Sequence, residues 1–177
     1  MAPVVRQGVT RRLVYLPEGR WLPLFNLGAP GEVTEGGQHV IALAPLGTVP
    51  LWLRAGGALA LTEPALHTTS ANWSQLTWHV HVAERVDARL YEDAGEGYGE
   101  SRLTRLSGER VGDRFVLERS TEGSLPLARD TETLRLYGLP APREVVGARE
   151  HRVRDGVLEL TVDAEWQRLE VLTKERP

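Results

Sequence analysis

The sequence predicts an all-β protein built from two β-sandwich subdomains, the second of them jelly-roll-like. Apolar and polar residues alternate with period two over many short runs, as strands with one buried face require. Gly, Asp and Pro residues separate these runs and place turns between the strands. No stretch of a dozen residues holds a helical pattern free of Gly and Pro. Many short strands at this spacing favour a sandwich or a jelly roll.

The first subdomain is predicted to occupy residues 1–66, which are apolar and rich in Pro and Gly. Residues 51–61 have the sequence L-W-L-R-A-G-G-A-L-A-L. This nearly apolar run predicts a strand that is covered on both faces, with a bend or bulge at the glycine pair. Arg54 interrupts the run, and a buried guanidinium without partners costs several kcal/mol. We therefore expect a carboxylate or several carbonyl groups beside Arg54.

A small polar stretch, residues 67–75, is predicted to join the two subdomains, because its composition is that of a loop. The second subdomain then spans residues 76–177 and contains charged, alternating strands. The predicted strands are residues 76–82, 88–91, 114–119, 133–137, 157–162 and 167–172.

The run at residues 76–82 shows the alternation most clearly. One face carries Leu76, Trp78, Val80 and Val82, and we expect it to be buried. The other face carries His79 and His81, and we expect it to meet solvent. Two histidines at this spacing can chelate zinc, but no third ligand lies nearby in the sequence, so no metal site is assigned to them.

The composition of the chain disfavours several classes of function. The formal net charge of −3 gives no global attraction to phosphate, so neither nucleic acid nor an anionic membrane is expected as a partner. The chain has no cysteine, which excludes disulfides and thiolate chemistry. No run of 18 apolar residues occurs, and residues 1–10 lack the apolar core of a signal peptide. We expect a soluble protein without a cofactor, with the cytoplasm as its favoured location.

Three segments, in this order, carry a resemblance to a known family. The first is V-Y-L-P-E-G-R-W at residues 14–21. The second combines G-G-Q at residues 36–38 with A-P-L-G-T-V-P-L-W-L-R-A-G at residues 44–56. The third is L-Y-E-D-A-G-E-G-Y at residues 90–98. Together they resemble the proximal and distal C-terminal β-domains of glycoside hydrolase family 31, the α-glucosidase-like enzymes.

The resemblance implies a non-catalytic C-terminal portion of an enzyme that hydrolyses α-glucosides or α-xylosides with retention. In this family the nucleophile and the acid/base are aspartates of a catalytic (β/α)8 barrel, in motifs that precede the first segment. None of those motifs occurs here, so no catalytic or cofactor-binding residue is assigned. The expected partner is the barrel, which the proximal part would buttress near the substrate entrance. A start at this seam suggests a cloned segment, or a split or truncated reading frame.

The matching segments also suggest structural or interdomain roles for particular side chains. These are Tyr15, Trp21, Trp52, Arg54 and Tyr91.

The sequence departs from the family pattern at two places. Trp21 is followed by L-P-L-F-N where relatives carry an aromatic and acidic W-Y-D-F-W run, and Ala94 replaces the second Asp of the E-D-D-G turn. Both departures weaken the expectation that these loops contact substrate.

The densest acidic cluster consists of Glu92, Asp93, Glu96 and Glu100. Glycosidic cleavage with retention needs two carboxyl groups about 5–5.5 Å apart in a cleft, one of them held protonated by burial. An exposed Gly-rich turn provides neither condition, so we expect a solvated turn with structural contacts. The alternative is a Ca²⁺ site at Glu92, Asp93 and Glu96, which would need six or more oxygen ligands in all.

Exposed tryptophans are the remaining candidate feature, because their rings can stack on sugars. Trp73 lies in the polar joint and is expected to be exposed, whereas Trp166 opens the last strand and the pattern leaves its exposure open. Carbohydrate binding by an autonomous module is therefore the alternative function. An unrelated β-sandwich adaptor, or an enzyme with an unrecognised site, is a third hypothesis.

The apolar regions at residues 13–25 and 51–61 are expected to be exposed where the barrel would sit. Large exposed apolar patches usually find a partner. We therefore expect the isolated chain to self-associate or to bind a separately encoded barrel.

Overall fold

The computed structural model describes residues 1–24, 31–67, 70–95 and 97–174. The chain forms two compact units, Met1–Ala55 and Gly56–Pro177. Every regular element in the described residues is a β-strand, so the all-β prediction is confirmed. Over the same residues, the structure contains no helix that could span a lipid bilayer.

The described residues of the first unit form five short strands in two small antiparallel sheets. The strands are β1 (Arg11–Leu16), β2 (Arg20–Pro23), β3 (Thr34–Glu35), β4 (Gln38–Leu43) and β5 (Trp52–Arg54). One sheet pairs β1 with β4, and the other has the order β3-β2-β5. The buried apolar side chains described in this unit are few, and half of them are alanine: Ala2, Leu16, Leu22, Leu24, Ala42 and Ala44.

In the second unit, the part of the chain that the structure describes forms ten strands in two five-stranded sheets. The strands are β6 (Ala58–Leu61), β7 (Thr77–His81), β8 (Arg85–Asp93), β9 (Ser101–Val111), β10 (Arg114–Gly123), β11 (Thr131–Tyr137), β12 (Pro142–Val146), β13 (Glu150–Arg154), β14 (Val157–Asp163) and β15 (Arg168–Thr173). The sheet orders are β12-β15-β10-β9-β8 and β13-β14-β11-β7-β6. Strands β7 and β11 run parallel.

A single apolar core joins the two sheets of the second unit. Phe115 and Leu117 from β10 belong to the same buried cluster as Trp78 from β7 and Leu134 from β11. The six strands predicted from alternation correspond to β7, β8, β10, β11, β14 and β15. Most of their inward side chains are apolar and most of their outward side chains are polar, so a period-two pattern marks them clearly.

The structure divides the chain earlier than the sequence pattern does. The sequence predicts a first subdomain that ends at residue 66, whereas the compact units meet between Ala55 and Gly56. The reason is that β6 pairs antiparallel with β7 and so belongs to the second unit. The assignment of the two units to a proximal and a distal domain stays a prediction.

The apolar run at residues 51–61 differs from its prediction as one fully covered strand. It forms two strands, β5 and β6, in different units, and its apolar side chains are half-buried. Gly56 lies between them with a φ of +84°, and a Cβ at this position would lie 2.7 Å from the Arg85 carbonyl oxygen. The turn therefore requires glycine, because a side chain would be strained and would clash.

Candidate functional site

The outer face of the β1–β4 sheet is apolar. Register pairs Leu13 of β1 with Ile41 of β4, and Leu43 and Tyr15 lie two positions away on the same face. The exposed fractions are 63% for Leu13, 65% for Ile41, 67% for Leu43 and 53% for Tyr15. These four side chains are called the β1–β4 apolar face below. A two-sided sheet in water normally carries polar residues outward, so this face has the composition of a covered surface.

Polar and aromatic groups border the β1–β4 apolar face. The His39 ring lies 5.1 Å from the Tyr15 ring, centroid to centroid, with the planes tilted by 54°. Arg11 lies opposite Leu43 at the other end of the register. Beyond β4, Leu46 is fully exposed and Val49 is half-exposed. The apolar surface thus continues along the chain beyond the sheet itself.

The expected exposed patch is therefore present in part of the predicted region. Leu13 and Tyr15 belong to it, but Leu16, Leu22 and Leu24 are buried. Phe25 lies outside the described residues. Residues 51–61 are half-buried and do not contribute a large exposed surface, whereas β4 does contribute and was missed. A signal for β4 was available, because residues 40–44, V-I-A-L-A, form a short apolar run of strand length.

The residues assigned structural roles by the resemblance have different environments. Trp21 is half-buried, and its Nε1 donates to the Pro17 carbonyl oxygen at 2.8 Å. Trp52 is half-buried in β5. Tyr91 has an exposed fraction of 61% and lies on the outer face of β8.

Arg54 differs from its prediction as a buried cation. Its side chain is exposed, and Nη2 donates to the Glu18 carbonyl oxygen at 3.3 Å. The exposure arises because β5 is a three-residue strand at the edge of its sheet. One of the expected carbonyl contacts is present.

The acidic turn is organised by hydrogen bonds within the protein. Asp93 Oδ1 accepts from the Gly95 backbone N–H at 2.9 Å, as turn-forming Asp residues do. Both Glu92 oxygens accept from Arg129, at 2.7 and 3.1 Å. Glu100 is exposed, and Glu96 lies outside the described residues. Within the described residues no group of three or more His, Asp or Glu side chains could hold a metal ion.

Arg129 links this turn to a carboxylate in the core. Arg129 Nε donates to Glu132 Oε1 at 2.7 Å, and the Glu132 side chain is fully buried. Glu132 Oε2 accepts from Trp78 Nε1 at 3.1 Å and from Trp166 Nε1 at 3.4 Å. These donors compensate for the transfer of a carboxylate out of water. The arrangement binds the end of β8, the start of β11 and two core tryptophans into one network.

A second buried arginine, Arg119, is less well satisfied. Its Nη2 lies 3.9 Å from Glu132 Oε1, beyond hydrogen-bonding distance, and its side chain is 3% exposed. Among the described residues, Arg119 Nε and Nη2 and the nearby Thr104 Oγ1 have no hydrogen-bond partner. Burial lowers the pKa of Arg119, against the attraction of Glu132.

The two histidines of β7 are buried, and the prediction that they face solvent is wrong. His79 is 2% exposed and His81 is 1% exposed. His79 Nδ1 and the Tyr137 hydroxyl share a hydrogen bond of 2.7 Å, and their rings stack. Strand β7 is not at a sheet edge, since β6 and β11 flank it. Burial, with a contribution from Arg135, lowers the pKa of His79 to about 4.

The two candidate sugar-stacking rings differ in exposure. Trp166 is only 6% exposed and its ring belongs to the core, so its face is covered. Trp73 is 47% exposed.

A groove of about 250 Å³ lies on the outer face of the second unit, and its lining includes Ser107 and Glu109. Its arginines are paired already, Arg114 with Glu170 and Arg168 with Glu118.

Sequence reasoning missed the Glu132, Arg129 and Arg119 network. A signal existed, because Glu132 lies on the same face of β11 as Leu134 and Leu136. Arg119 likewise lies on the same face of β10 as Phe115 and Leu117. A charged residue at a core-parity position predicts a buried ion pair, although the partner cannot be identified from the sequence.

A family model matches the first part of the chain. Residues 1–59 match the family model described as the C-terminal domain of glycosyl hydrolase family 31. Alpha-glucosidase 2 of Bacillus thermoamyloliquefaciens is 33% identical over 100 residues, which are 55% of this chain and 12% of that enzyme. The chain spans between 10% and 13% of the length of the curated relatives it matches.

Solved structures extend the likeness to almost the whole chain. The GH31 α-xylosidase from Xanthomonas citri is 27% identical with a TM-score of 0.63, covering 98% of this chain and 18% of that protein. The GH31 dextranase from Flavobacterium johnsoniae, complexed with glucose, has a TM-score of 0.75 at 17% identity. It covers 97% of this chain and 25% of that protein, and at this identity it shows the fold alone. The resemblance to family 31 C-terminal β-domains is confirmed.

Proposed function

We propose that this chain, which resembles the C-terminal β-domains of glycoside hydrolase family 31, is a non-catalytic portion of an α-glucosidase-like enzyme and supports its catalytic barrel. The observation that carries the proposal is the β1–β4 apolar face. It lies within residues 1–59, the segment that matches the family model. The parent reaction would be the retaining hydrolysis of an α-glucoside or α-xyloside, in the cytoplasm.

The energetics favour a covered rather than a free surface. Full burial of a large apolar side chain stabilises a protein by about 1.5–3 kcal/mol relative to leaving it exposed. Leu13, Ile41 and Leu43 are each more than half exposed, and they lie side by side across two strands. A barrel packed on this face would bury all three at once.

The buried carboxylates support a structural role. A retaining glycosidase needs one carboxyl group as nucleophile and another as acid/base. Here Glu92 and Glu132 both bind Arg129 through charge-assisted hydrogen bonds. Because both carboxylates are held by the same guanidinium, they stabilise the fold of the second unit.

A chimaera tests the supporting role. The segment of α-glucosidase 2 from Bacillus thermoamyloliquefaciens that runs from the first residue aligned with this chain to the end of the enzyme would be replaced by the whole chain. We expect soluble enzyme that hydrolyses p-nitrophenyl α-glucoside. Ile41→Asp in the chimaera should lower soluble yield and activity at least tenfold, because it places a charge in the covered face.

Val153→Asp is the matched control, since Val153 is 50% exposed on a strand of the second unit. It should leave the chimaera unchanged. Equal yield and activity for the Ile41→Asp and Val153→Asp chimaeras would contradict the proposal. So would turnover of p-nitrophenyl α-glucoside by the purified chain alone.

The isolated chain should self-associate through the same face. Light scattering at rising concentration should give a mass above that of the 19.6 kDa monomer. Ile41→Asp should restore the monomer, whereas Val153→Asp should not. A monodisperse wild-type monomer at high concentration would argue against an apolar docking face.

A carbohydrate-binding module is the second candidate function, favoured by the exposed ring of Trp73 and by the polar groove. Electrophoresis through gels containing glycogen or dextran distinguishes the two functions. A scaffold without sugar affinity migrates as in a plain gel. Retardation that Trp73→Ala abolishes would favour the module.

A further inference from the structure

We propose that the core of the second unit binds a small monovalent anion, such as chloride, between Arg119 of β10 and Thr104 of β9. The site lies inside the sandwich and is independent of the β1–β4 apolar face. The ligand would accept hydrogen bonds from Arg119 Nε, Arg119 Nη2 and the Thr104 hydroxyl.

The strand register brings the two residues together. Arg119 lies directly opposite Leu106 in the β9–β10 pairing, and Thr104 lies two positions from Leu106. Thr104, Leu106 and Arg119 are all buried, so they share the inner face of the sheet. Diagonal neighbours on one face of an antiparallel pair lie within reach of each other's side chains.

Three buried donor or acceptor atoms have no partner at this place. They are Arg119 Nε, Arg119 Nη2 and Thr104 Oγ1, within the part of the chain that the structure describes. Glu132 does not satisfy Arg119, because its Oε1 accepts from Arg129 at 2.7 Å and lies 3.9 Å from Arg119 Nη2. Buried N–H groups of a guanidinium are costly when they lack an acceptor.

The charges around the site leave one positive charge uncompensated. Arg102, Arg119 and Arg129 supply three positive charges, and Glu92 and Glu132 supply two negative charges, so the sum is +1. Glu92 and Glu132 are hydrogen-bonded to Arg129. Arg102 donates to the Leu125 carbonyl oxygen at 2.5 and 2.7 Å. The Leu125 carbonyl does not neutralise Arg102, so the excess positive charge is shared by Arg102 and Arg119, of which Arg119 is the more deeply buried.

A monovalent anion can accept the unpaired hydrogen bonds and can also neutralise the excess positive charge. A water molecule could accept from the guanidinium, but it would leave the charge uncompensated in a medium of low polarity. A divalent anion would reverse the sign of the excess. A single negative charge that accepts from two N–H groups and one hydroxyl matches both the donors and the charge.

Bromide diffraction locates the ligand directly. Crystals of the full chain grown in sodium bromide should show an anomalous peak within hydrogen-bonding distance of Arg119 and Thr104. A peak of water density at this position without anomalous signal would overturn the proposal, as would an Arg119 side chain that turns to bind Glu132 in an anion-free site.

Thermal unfolding measures the binding in solution. Chloride would be exchanged for gluconate at constant ionic strength, since gluconate is too large to enter. Above its Kd, each tenfold rise in chloride should raise the Tm by roughly 3–6 °C. Arg119→Met should remove this dependence, and because it makes the cluster neutral it should still fold.

Two further variants test whether the chloride dependence of the Tm arises at this site. Arg89→Met, on the outer face of β8 in the same sheet, should retain the full chloride dependence. Thr104→Val preserves side-chain shape and removes one donor, so it should weaken the apparent affinity for chloride by about tenfold. A wild-type Tm that does not depend on chloride, or an equal dependence in Arg119→Met, would overturn the proposal.

Discussion

At the scale of single residues, Glu132 organises the polar part of the second core. It accepts hydrogen bonds from Arg129 and from the indoles of Trp78 and Trp166. Its removal would leave a buried guanidinium and two indole N–H groups without their acceptor. Such groups determine stability more strongly than exposed pairs, because water cannot replace the missing partner.

Glu132→Ala should therefore lower the free energy of unfolding by about 3–5 kcal/mol. The matched control is Glu118→Ala, which removes a carboxylate bound to Arg168 on the exposed face. This control should cost no more than about 1 kcal/mol. Urea unfolding of the three proteins measures both values. Equal losses of unfolding free energy for the two variants would show that the buried network contributes no more to stability than an exposed ion pair.

His79 should make stability depend on pH. Its pKa is lowered to about 4 in the folded chain, whereas the unfolded value is about 6.5. The unfolded state therefore binds more protons between these values, and the stabilisation by neutral His79 is lost as pH falls from 6.5 to 4. From pH 7 to pH 4 the wild type should lose about 3 kcal/mol more than His79→Gln.

Urea unfolding at a series of pH values measures this difference. His151 is exposed, so His151→Gln should follow the wild-type curve. A His79→Gln curve parallel to that of the wild type would mean that the imidazole titrates normally in the fold.

Residue-level prediction from the sequence succeeded where side-chain type and environment agree. Trp78 and Val80 were expected in the core and are there. It failed for His79 and left Trp166 open, because a polar ring can be buried when it finds a hydrogen-bond partner. Partner identity depends on which strands become neighbours, and the alternation within one strand does not contain that information.

At the scale of elements, the β9–β10 hairpin is the longest paired unit in the chain, with ten paired positions. Gly112 lies at its turn, and Gly123 lies at the end of β10. Both have positive φ, +60° and +105°. They differ in surroundings, because a Cβ on Gly112 would meet open space whereas one on Gly123 would lie 2.1 Å from the Ser101 carbonyl oxygen.

These two glycines predict different costs for the same substitution. Gly112→Ala should lower the free energy of unfolding by about 1 kcal/mol, the cost of a left-handed conformation in a non-glycine residue. Gly123→Ala should cost at least about 3 kcal/mol, because backbone strain is added to a clash with backbone. Chemical unfolding of both variants checks the ranking. A Gly123→Ala loss no larger than that of Gly112→Ala would contradict it.

Strands with one apolar face were predictable, and strands without one were not. Strand β9 was missed because its inward positions include Arg102, Thr104 and Gly108 as well as Leu106. Strand β13 was missed because every one of its side chains is exposed. Its hydrogen bonds to β14 depend on a neighbour, and alternation cannot reveal that neighbour. The parallel pairing of β7 with β11 was not predicted for the same reason.

At the scale of the whole molecule, the two units differ greatly in core size. The buried cluster of the second unit contains large side chains such as Trp78, Phe115 and Leu117. The first unit buries three leucines and three alanines. Small units of this kind rarely bury enough apolar surface to fold alone. This is consistent with a proximal part that depends on a neighbouring module.

Fragments test this difference and the position of the boundary. A fragment of residues 56–177 should unfold cooperatively in urea with an intact near-ultraviolet spectrum, and residues 1–55 alone should not. A fragment of residues 67–177, which follows the boundary suggested by sequence texture, lacks β6 and exposes the edge of β7. It should be less stable than 56–177. Equal stability of the two fragments would favour the boundary after residue 66.

Strand β13 closes one edge of its sheet with charged residues. Glu150, Arg152 and Arg154 are exposed along it, and Arg152 also binds Glu159 of β14. A strand arriving from another molecule would have to desolvate these charges before it could add to the sheet. Fibril growth by addition of a strand to the β13 edge is therefore opposed by the cost of removing water from these charges.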